Sequence, residues 1–118
     1  MKLKLMLWWL GVMLKRARSR KAAFRDALEK LQRFDWGVAT EDLTIARHYR
    51  MTPQAIQSDV GLPTDLTLEL RFRDAESATR FLRRPSQRAF REGLFNGQLR
   101  LVGDSRDLER LQSLLKHL

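Results

Sequence analysis

Few residues of this chain have the type and spacing that catalysis needs. His48 lies on the polar side of a predicted strand, close in sequence to Glu41 and Asp42, and an imidazole near a carboxylate is one arrangement of a general base. A lone surface histidine is far more often structural. Ser105 and Asp107 stand where a helix is predicted to begin, and there a hydroxyl and a carboxylate satisfy free backbone N–H groups. We therefore predict no catalytic residues.

The residues that would hold a metal or a nucleotide are also missing. The chain has no cysteine and two isolated histidines, His48 and His117, so neither thiolates nor a histidine cluster are available. Gly97 and Gly103 are separated by a predicted strand, which is the wrong context for a nucleotide-binding glycine loop. We expect no metal, no cofactor and no enzymatic activity.

The positive charge is concentrated at one end of the chain. The formal net charge is +9, and residues 1–35 hold ten Lys or Arg against three acidic residues, whereas residues 36–118 hold 13 against 11. A nucleic-acid-binding domain would be basic over most of its length. Nucleic acid is therefore the least favoured partner, and the basic segment needs another explanation.

The N-terminal segment, residues 1–35, is apolar first and basic afterwards. Residues 5–14 are all apolar or Gly, too few to span a bilayer, which needs about 20. No small-x-small cleavage pattern follows, and a dense positive run directly after an apolar stretch opposes export. We expect the segment to be retained on the cytoplasmic side, where a peripheral position on the inner face of the membrane is one option.

Two interpretations of this segment stay open. In one, an amphipathic helix lies in an anionic membrane surface, where each basic residue near the lipid contributes about 1 kcal/mol to the binding free energy. The contact residues would be Trp8, Trp9, Lys15, Arg16, Arg18, Arg20 and Lys21. In the other, one long helix or two consecutive helices pack on protein through a seam with 4-3-4-3 spacing, either on the chain's own core or on a homodimer or partner helix. The seam residues are Leu3, Leu7, Leu10, Leu14, Ala17, Lys21, Phe24, Leu28 and Leu31.

Residues 36–118 predict an α+β fold. Period-2 alternation predicts strands at 36–41, at 43–49, around 54–60 and at 66–72. Asp74 is a predicted N-cap for the next helix, a second helix ends before Gly97, and a last strand contains Leu99 and Leu101. Asp104 or Ser105 caps the closing helix. The order predicts a single antiparallel or mixed sheet of about five strands, covered by helices and preceded by an apolar-basic helix.

Large apolar side chains are abundant for so small a fold. They either fill an ordinary core or line a cavity for an apolar ligand, because ligand pockets are mostly apolar and need few polar groups. The candidate lining residues are Trp36, Phe72, Phe81, Phe90, Leu94, Phe95, Leu99 and Leu101.

The second half of the chain resembles the sterol-carrier-protein-2-like (SCP2-like) lipid-binding domain. The similar stretches are "DLTLELRFRDAESATRFL" and "FREGLFNGQLRLVGDSRDLERLQSLL". The first stretch fits a D-x-T strand followed by a short helix led by an acidic residue. The second fits a G-x-L-x-x-x-G-D strand followed by a leucine-rich closing helix. The matching residues are Asp65, Thr67, Asp74, Gly97, Leu99, Gly103, Asp104, Leu108, Leu111, Leu114 and Leu115.

The resemblance covers residues 36–118 and implies a function. It implies a five-stranded sheet with helices over an apolar cavity, and binding or transfer of a lipid without catalysis. The ligand would be a phospholipid, a sterol-like molecule or an isoprenoid quinone intermediate. Some bacterial relatives are accessory proteins of ubiquinone biosynthesis, and this chain is similar to them in size.

Overall fold

The computed structural model describes residues 2–84 and 86–118, which form helices and strands in the predicted order. Two helices, α1 (Lys2–Arg20) and α2 (Ala22–Leu31), precede three strands, β1 (Phe34–Thr40), β2 (Ala46–Met51) and β3 (Ile56–Val60). Then follow β4 (Leu68–Phe72), α3 (Ala75–Arg83), α4 (Gln87–Asn96), β5 (Leu99–Val102) and α5 (Ser105–Leu115). Strand β1 begins at Phe34, slightly before the expected start of the globular part.

The strands form one mixed sheet in the order β3-β2-β1-β4-β5. Strands β1, β2 and β3 are an antiparallel meander, β4 runs parallel to β1, and β5 is antiparallel to β4. The α+β fold with a five-stranded sheet and a preceding helix is thereby confirmed.

The hairpin between β1 and β2 differs from the predicted strand at 43–49. Leu43 has a left-handed backbone, with φ 61°, and is exposed in the turn. The Asp42 carboxylate accepts hydrogen bonds from the Thr44 backbone N–H and from the hydroxyls of Thr40 and Thr44. These local bonds favour a turn over an extended strand, so β2 starts only at Ala46.

The central strand β1 is buried on both faces. Its Trp36 and Val38 face the helices. On the other face a Cβ at Gly37 would lie 2.4 Å from a methyl carbon of Leu62 and 3.0 Å from one of Leu66. The connection from β3 to β4 therefore crosses this face of β1, and a larger residue at position 37 would require the Leu62 and Leu66 side chains to move.

The N-terminal seam packs into the chain's own core. Its members Leu3, Leu7, Leu14, Ala17, Phe24 and Leu28 are buried in one cluster with the sheet and α5. Lys21, the polar break in the seam, has an extended backbone and separates α1 from α2. In the alternative interpretation, this seam would hold a homodimer or a partner helix. The chain's own side chains already cover the seam, so it is not exposed for such a contact.

Polar side chains define where the later helices begin and end. The Asp74 carboxylate accepts from the Ser77 backbone N–H at 2.8 Å, as the sequence predicted for an N-cap. Asp104, rather than Ser105, caps α5 by accepting from the backbone N–H of Arg106. Gly97 ends α4 in the left-handed conformation, with φ 80°, which glycine adopts without steric cost. These caps fix the start of α3, the end of α4 and the start of α5.

A candidate apolar ligand site between the sheet and helix α1

An apolar cavity of about 260 Å³ lies between the sheet and the helices. Four strand residues form one wall, namely Trp36, Val38, Leu70 and Phe72. They are brought together by register, because Trp36 and Val38 pair with Leu68 and Leu70 across the parallel β1–β4 ladder and share one face. The wall is thus a direct result of the period-2 pattern in two strands.

Helices supply the remaining walls. Helix α1 contributes Met6, Leu10 and Met13, helix α3 contributes Phe81, Leu82 and Arg83, and the C-terminal end contributes Leu115 and Leu118. Among these lining side chains only Trp36 and Arg83 carry a nitrogen or oxygen atom. The cavity is therefore suited to a ligand that is apolar over most of its surface.

The predicted lining residues are only partly brought together here. Trp36, Phe72 and Phe81 line the cavity. Phe90 and Leu99 are buried in the adjoining core, where the Phe90 ring meets the edge of Phe81 at 4.6 Å between centroids. Leu101 is half-buried and packs against the core without lining this cavity. The cavity lies nearer to α1 than the sequence indicated.

Two of the predicted lining residues are placed wrongly by the sequence analysis. Leu94 is 39% exposed and Phe95 is 95% exposed, so neither is part of the interior. Both lie in the last turn of α4, and the buried face of that helix is instead formed by Phe90. Phe95 is five positions from Phe90 and points about 140° away from it, whereas Leu94 is four positions away, about 40° from Phe90, and lies at the exposed edge of the same face.

Several lining residues were not predicted as such. Val38 and Leu70 have a recognisable signal, since they alternate with Trp36 and Phe72 on the same strand faces. Leu10 was predicted only as a seam residue, and Met6 and Met13 had no signal, because the sequence left open whether α1 contacts protein or membrane. Their role emerges only from the way α1 crosses the sheet.

The opening of the cavity is marked by residues that line the cavity and are also exposed to solvent. Met13 lines the cavity and is 36% exposed, and Arg83 lines it from the exposed end of α3. The exposed side chains of Trp9 and Met13 are about 40° apart on the surface of α1. The mouth of the cavity is thus continuous with the outer face of α1.

Helix α1 is held against the sheet by a buried hydrogen bond. The Tyr49 hydroxyl on β2 donates to the Leu7 backbone carbonyl oxygen at 2.6 Å, and burial raises the pKa of Tyr49 above its ordinary value. The helix also approaches closely at Gly11, where a Cβ would lie 3.0 Å from the Ser58 hydroxyl. These contacts position Met6 and Leu10 over the wall formed by the strands.

Large apolar side chains are exposed on the outer face of α1, beside the exposed Lys2 and Lys4. The exposed large apolar residues there are Leu5, Trp8, Trp9 and Met13. The two indole rings lie 6.4 Å apart, centroid to centroid, and each is about half exposed. A contiguous apolar patch on a helix whose inner face is already packed is typical of a surface that contacts another phase or molecule.

Basic residues follow on the same helix. Lys15, Arg16 and Arg20 are exposed and make no ion pair with any described residue. Arg18 differs, because it turns to the β2–β3 connection and donates to the Pro53 carbonyl oxygen at 3.3 Å. Lys21 donates to the carbonyl oxygen of Leu118. Of the five basic residues predicted to meet lipid, three are free to do so.

The side chains first considered for chemistry are occupied elsewhere. The Nδ1 atom of His48 lies 2.9 Å from the carbonyl oxygen of Gly61, and the guanidinium of Arg71 pairs with Glu69 at 2.8 Å. Hydrogen bonds from Arg100 hold the pKa of Glu41 below its ordinary value. These polar groups lie on the sheet face opposite the cavity, so they do not contribute to the site.

Two further properties concern residues 2–84 and 86–118. Within these residues no group of at least three His, Asp or Glu side chains is arranged to hold a metal ion. No helix in the same ranges is long and apolar enough to cross a bilayer.

The whole architecture is similar to solved SCP2 structures. A UbiJ-SCP2 ubiquinone synthesis protein matches with a TM-score of 0.70 at 12% sequence identity, over 95% of this chain and 94% of that one. The apo form of sterol carrier protein 2 from Yarrowia lipolytica gives a TM-score of 0.58 at 9% identity, over 92% of this chain and 88% of that one. Sterol carrier protein 2 like 2 from Aedes aegypti gives a TM-score of 0.55 at 13% identity, over 92% of this chain and 96% of that one.

These likenesses confirm the SCP2-like fold that the sequence resemblance predicted. They extend it to the N-terminal helices, because the matched portion includes nearly the whole chain. No family model matches the sequence, and no curated protein sequence matches it either.

Proposed function

We propose that this protein is a non-enzymatic lipid carrier that binds an apolar ligand and presents it at a membrane surface. The observation that carries the proposal is the cavity of about 260 Å³, whose lining is apolar except for Trp36 and Arg83. A methylene group occupies roughly the volume of a water molecule, about 30 Å³, so a space of this size corresponds to about nine carbon atoms.

The size of the cavity indicates that only part of a lipid enters it. Burial of about nine methylene groups contributes about 7 kcal/mol, which corresponds to a Kd of about 10 μM before the costs of association. A phospholipid or a polyisoprenoid is much larger than this cavity. Its remaining length would leave at Met13 and continue along the outer face of α1, where Trp9 is exposed.

A membrane surface is the natural environment for that outer face. Its apolar half has two tryptophans, which favour the headgroup boundary, and the basic half has Lys15, Arg16 and Arg20 for anionic lipid. We therefore propose that α1 lies along the membrane with its seam on the protein core. The location would be cytoplasmic and peripheral, on the inner face of the membrane.

The ligand class that we favour is an isoprenoid quinone intermediate. One of the solved structures with this fold is that of a ubiquinone synthesis protein, and it matches nearly the whole chain. An accessory role in quinone biosynthesis requires an apolar intermediate to be held for other proteins, and no catalysis by the carrier itself. A phospholipid or a sterol-like molecule would use the same cavity.

Native mass spectrometry tests the proposal directly. The full chain, incubated separately with decylubiquinone, cholesterol and a phosphatidylglycerol, is expected to retain at least one of them as a one-to-one adduct at micromolar concentration. Organic extraction of the freshly purified protein, followed by mass spectrometry of the extract, is expected to release a lipid. A protein that carries no extractable lipid and retains none of the three probes would contradict the proposal.

A further inference from the structure

Leu43 is an unusual residue for the turn between β1 and β2. Its backbone is in the left-handed region, with φ 61°, and its side chain is 53% exposed. Glycine and asparagine adopt this conformation readily, whereas in leucine the β-carbon crowds the following carbonyl oxygen. The position therefore holds a residue that suits neither its backbone nor its exposure to water. A contact of the Leu43 side chain with a partner outside the chain explains the choice.

A second exposed apolar residue lies beside this turn. Val60, at the end of β3, is 70% exposed, and it lines a surface groove of about 290 Å³ together with Leu43. Lys4 of α1 also lines this groove. Two segments that are distant in sequence thus bring their exposed apolar side chains next to the N-terminal part of α1. We refer to these two residues as the Leu43–Val60 pair.

The Leu43–Val60 pair extends the exposed apolar surface of α1. Lys4 and Trp8 are four positions apart on the helix and point about 40° apart, so the groove borders the tryptophan side of α1. The large apolar side chains exposed among the described residues are Leu5, Trp8, Trp9, Met13, Leu43, Val60, Leu94 and Phe95. All but the last two lie on α1 or in the pair. Single exposed apolar residues are ordinary, but a concentration of this kind indicates a contact surface.

The charge of the neighbouring side chains favours an anionic partner. Helix α1 contains no acidic residue, and its exposed basic residues that make no ion pair with any described residue are Lys2, Lys4, Lys15, Arg16 and Arg20. Beside the pair lie two acidic residues, Asp42 and Asp59, and the carboxylate of each accepts a hydrogen bond from a nearby backbone N–H. Basic residues therefore outnumber acidic ones around an apolar surface, which complements a bilayer that contains anionic lipid.

We propose that Leu43 and Val60 form a second membrane contact, which inserts into the same anionic bilayer surface as the outer face of α1. This inference rests on the proposed function at a membrane and adds two contact residues to it. A helix that lies on a bilayer by itself can rotate about its own axis, whereas a helix and a separate turn together define a plane. The second contact therefore sets the orientation of the sheet, and of the cavity mouth at Met13, relative to the bilayer.

Two substitutions remove the apolar contact and are compatible with the backbone. Leu43→Asn introduces a residue that tolerates the left-handed conformation, and Val60→Thr keeps the branched shape of the side chain. The double variant is expected to melt at or above the wild-type temperature, whereas a purely structural role of Leu43 predicts a loss of stability. Its affinity for vesicles of phosphatidylglycerol and phosphatidylcholine is expected to fall about tenfold. Leu94→Asn, the same change at an exposed position of α4, is expected to keep vesicle binding within about twofold.

A fluorescent label measures insertion at the turn itself. The chain has no cysteine, so the single substitution Leu43→Cys allows one site to be labelled with the environment-sensitive fluorophore NBD. On addition of the same vesicles, the emission of this label is expected to shift to the blue and to increase in intensity. Lipids with a nitroxide on the acyl chain are expected to quench it. The same label at Leu94→Cys is the control and is expected to show neither change.

The possible results separate this inference from the function on which it rests. If the wild type and the double variant bind vesicles equally and the label at position 43 does not respond, the second contact is refuted while the membrane contact of α1 stands. If the wild type does not bind anionic vesicles, both fail together. If the double variant does not fold, the label decides alone. Light scattering without vesicles tests another occupant, because a dimer that the double variant loses would assign the surface to a second copy of the chain and refute the proposal.

Discussion

Replacement of Leu10 by Trp is expected to abolish ligand binding while leaving the protein folded. Leu10 is half-buried on α1 and its side chain lines the cavity opposite the strand wall. A larger side chain at this position occupies space that the ligand would otherwise fill. Because the added atoms replace a void, the free energy of unfolding should stay the same or increase.

The affinity for decylubiquinone or for 2-nonanone is expected to fall at least tenfold in Leu10→Trp, as measured by titration or native mass spectrometry. Leu5→Trp is the matched control, since it makes the same chemical change on the exposed face of the same helix. Unchanged binding by Leu10→Trp, in a variant that melts at or above the wild-type temperature, would refute the cavity as the ligand site.

Removal of both exposed tryptophans is expected to weaken binding to anionic vesicles about 100-fold. A large apolar side chain contributes about 1.5 to 3 kcal/mol when it is fully withdrawn from water. Trp8 and Trp9 are about half exposed, so insertion of each should contribute about 1.4 kcal/mol, or tenfold. The double variant Trp8→Ser, Trp9→Ser combines the two effects.

Co-sedimentation with vesicles of phosphatidylglycerol and phosphatidylcholine measures this effect. Phe95→Ser is the control, because Phe95 is an exposed aromatic residue remote from α1 in sequence. Replacement of Lys15, Arg16 and Arg20 by Gln should also weaken binding and reduce its salt dependence. Equal sedimentation of the wild type and the double tryptophan variant would show that α1 does not enter the membrane surface.

The sheet and the seam were predictable because both repeat a local pattern. The alternation of Leu68, Leu70 and Phe72 with charged residues defines a strand with one buried face, and neighbouring strands then share that face. The seam residues of α1 and α2 recur at helical spacing, which left one long helix and two consecutive helices open, and the structure places the break at Lys21. Patterns of this kind depend only on neighbours in sequence.

The cavity was less predictable because it depends on how distant elements meet. Nothing in the local sequence tells whether Met6 and Leu10 contact lipid or the chain's own sheet, and the answer requires the hydrogen bond from Tyr49 to α1. Conversely, Leu94 and Phe95 have the composition of a core segment, but the direction of α4 places them in solvent. Composition predicts which residues prefer to be buried, but it does not predict which face of a helix points towards the core.

The unpaired N–H of Trp36 has no signal in the sequence. Trp36 is part of a normal alternating strand, and most buried tryptophans find a hydrogen-bond partner. Only the three-dimensional arrangement shows that Tyr49 has the nearby carbonyl oxygen and Trp36 has none.

Methyl-resolved NMR of the full chain, titrated with 2-nonanone, tests the central claim that the ligand lies between α1 and the sheet. Resonances of Met6, Leu10, Met13, Val38 and Leu70 are expected to shift with a common binding curve. Methyl groups of the exposed Leu43, Val60 and Leu94 are expected to stay in place. Shifts confined to the exposed group, or no saturable shift at all, would contradict this account of the protein.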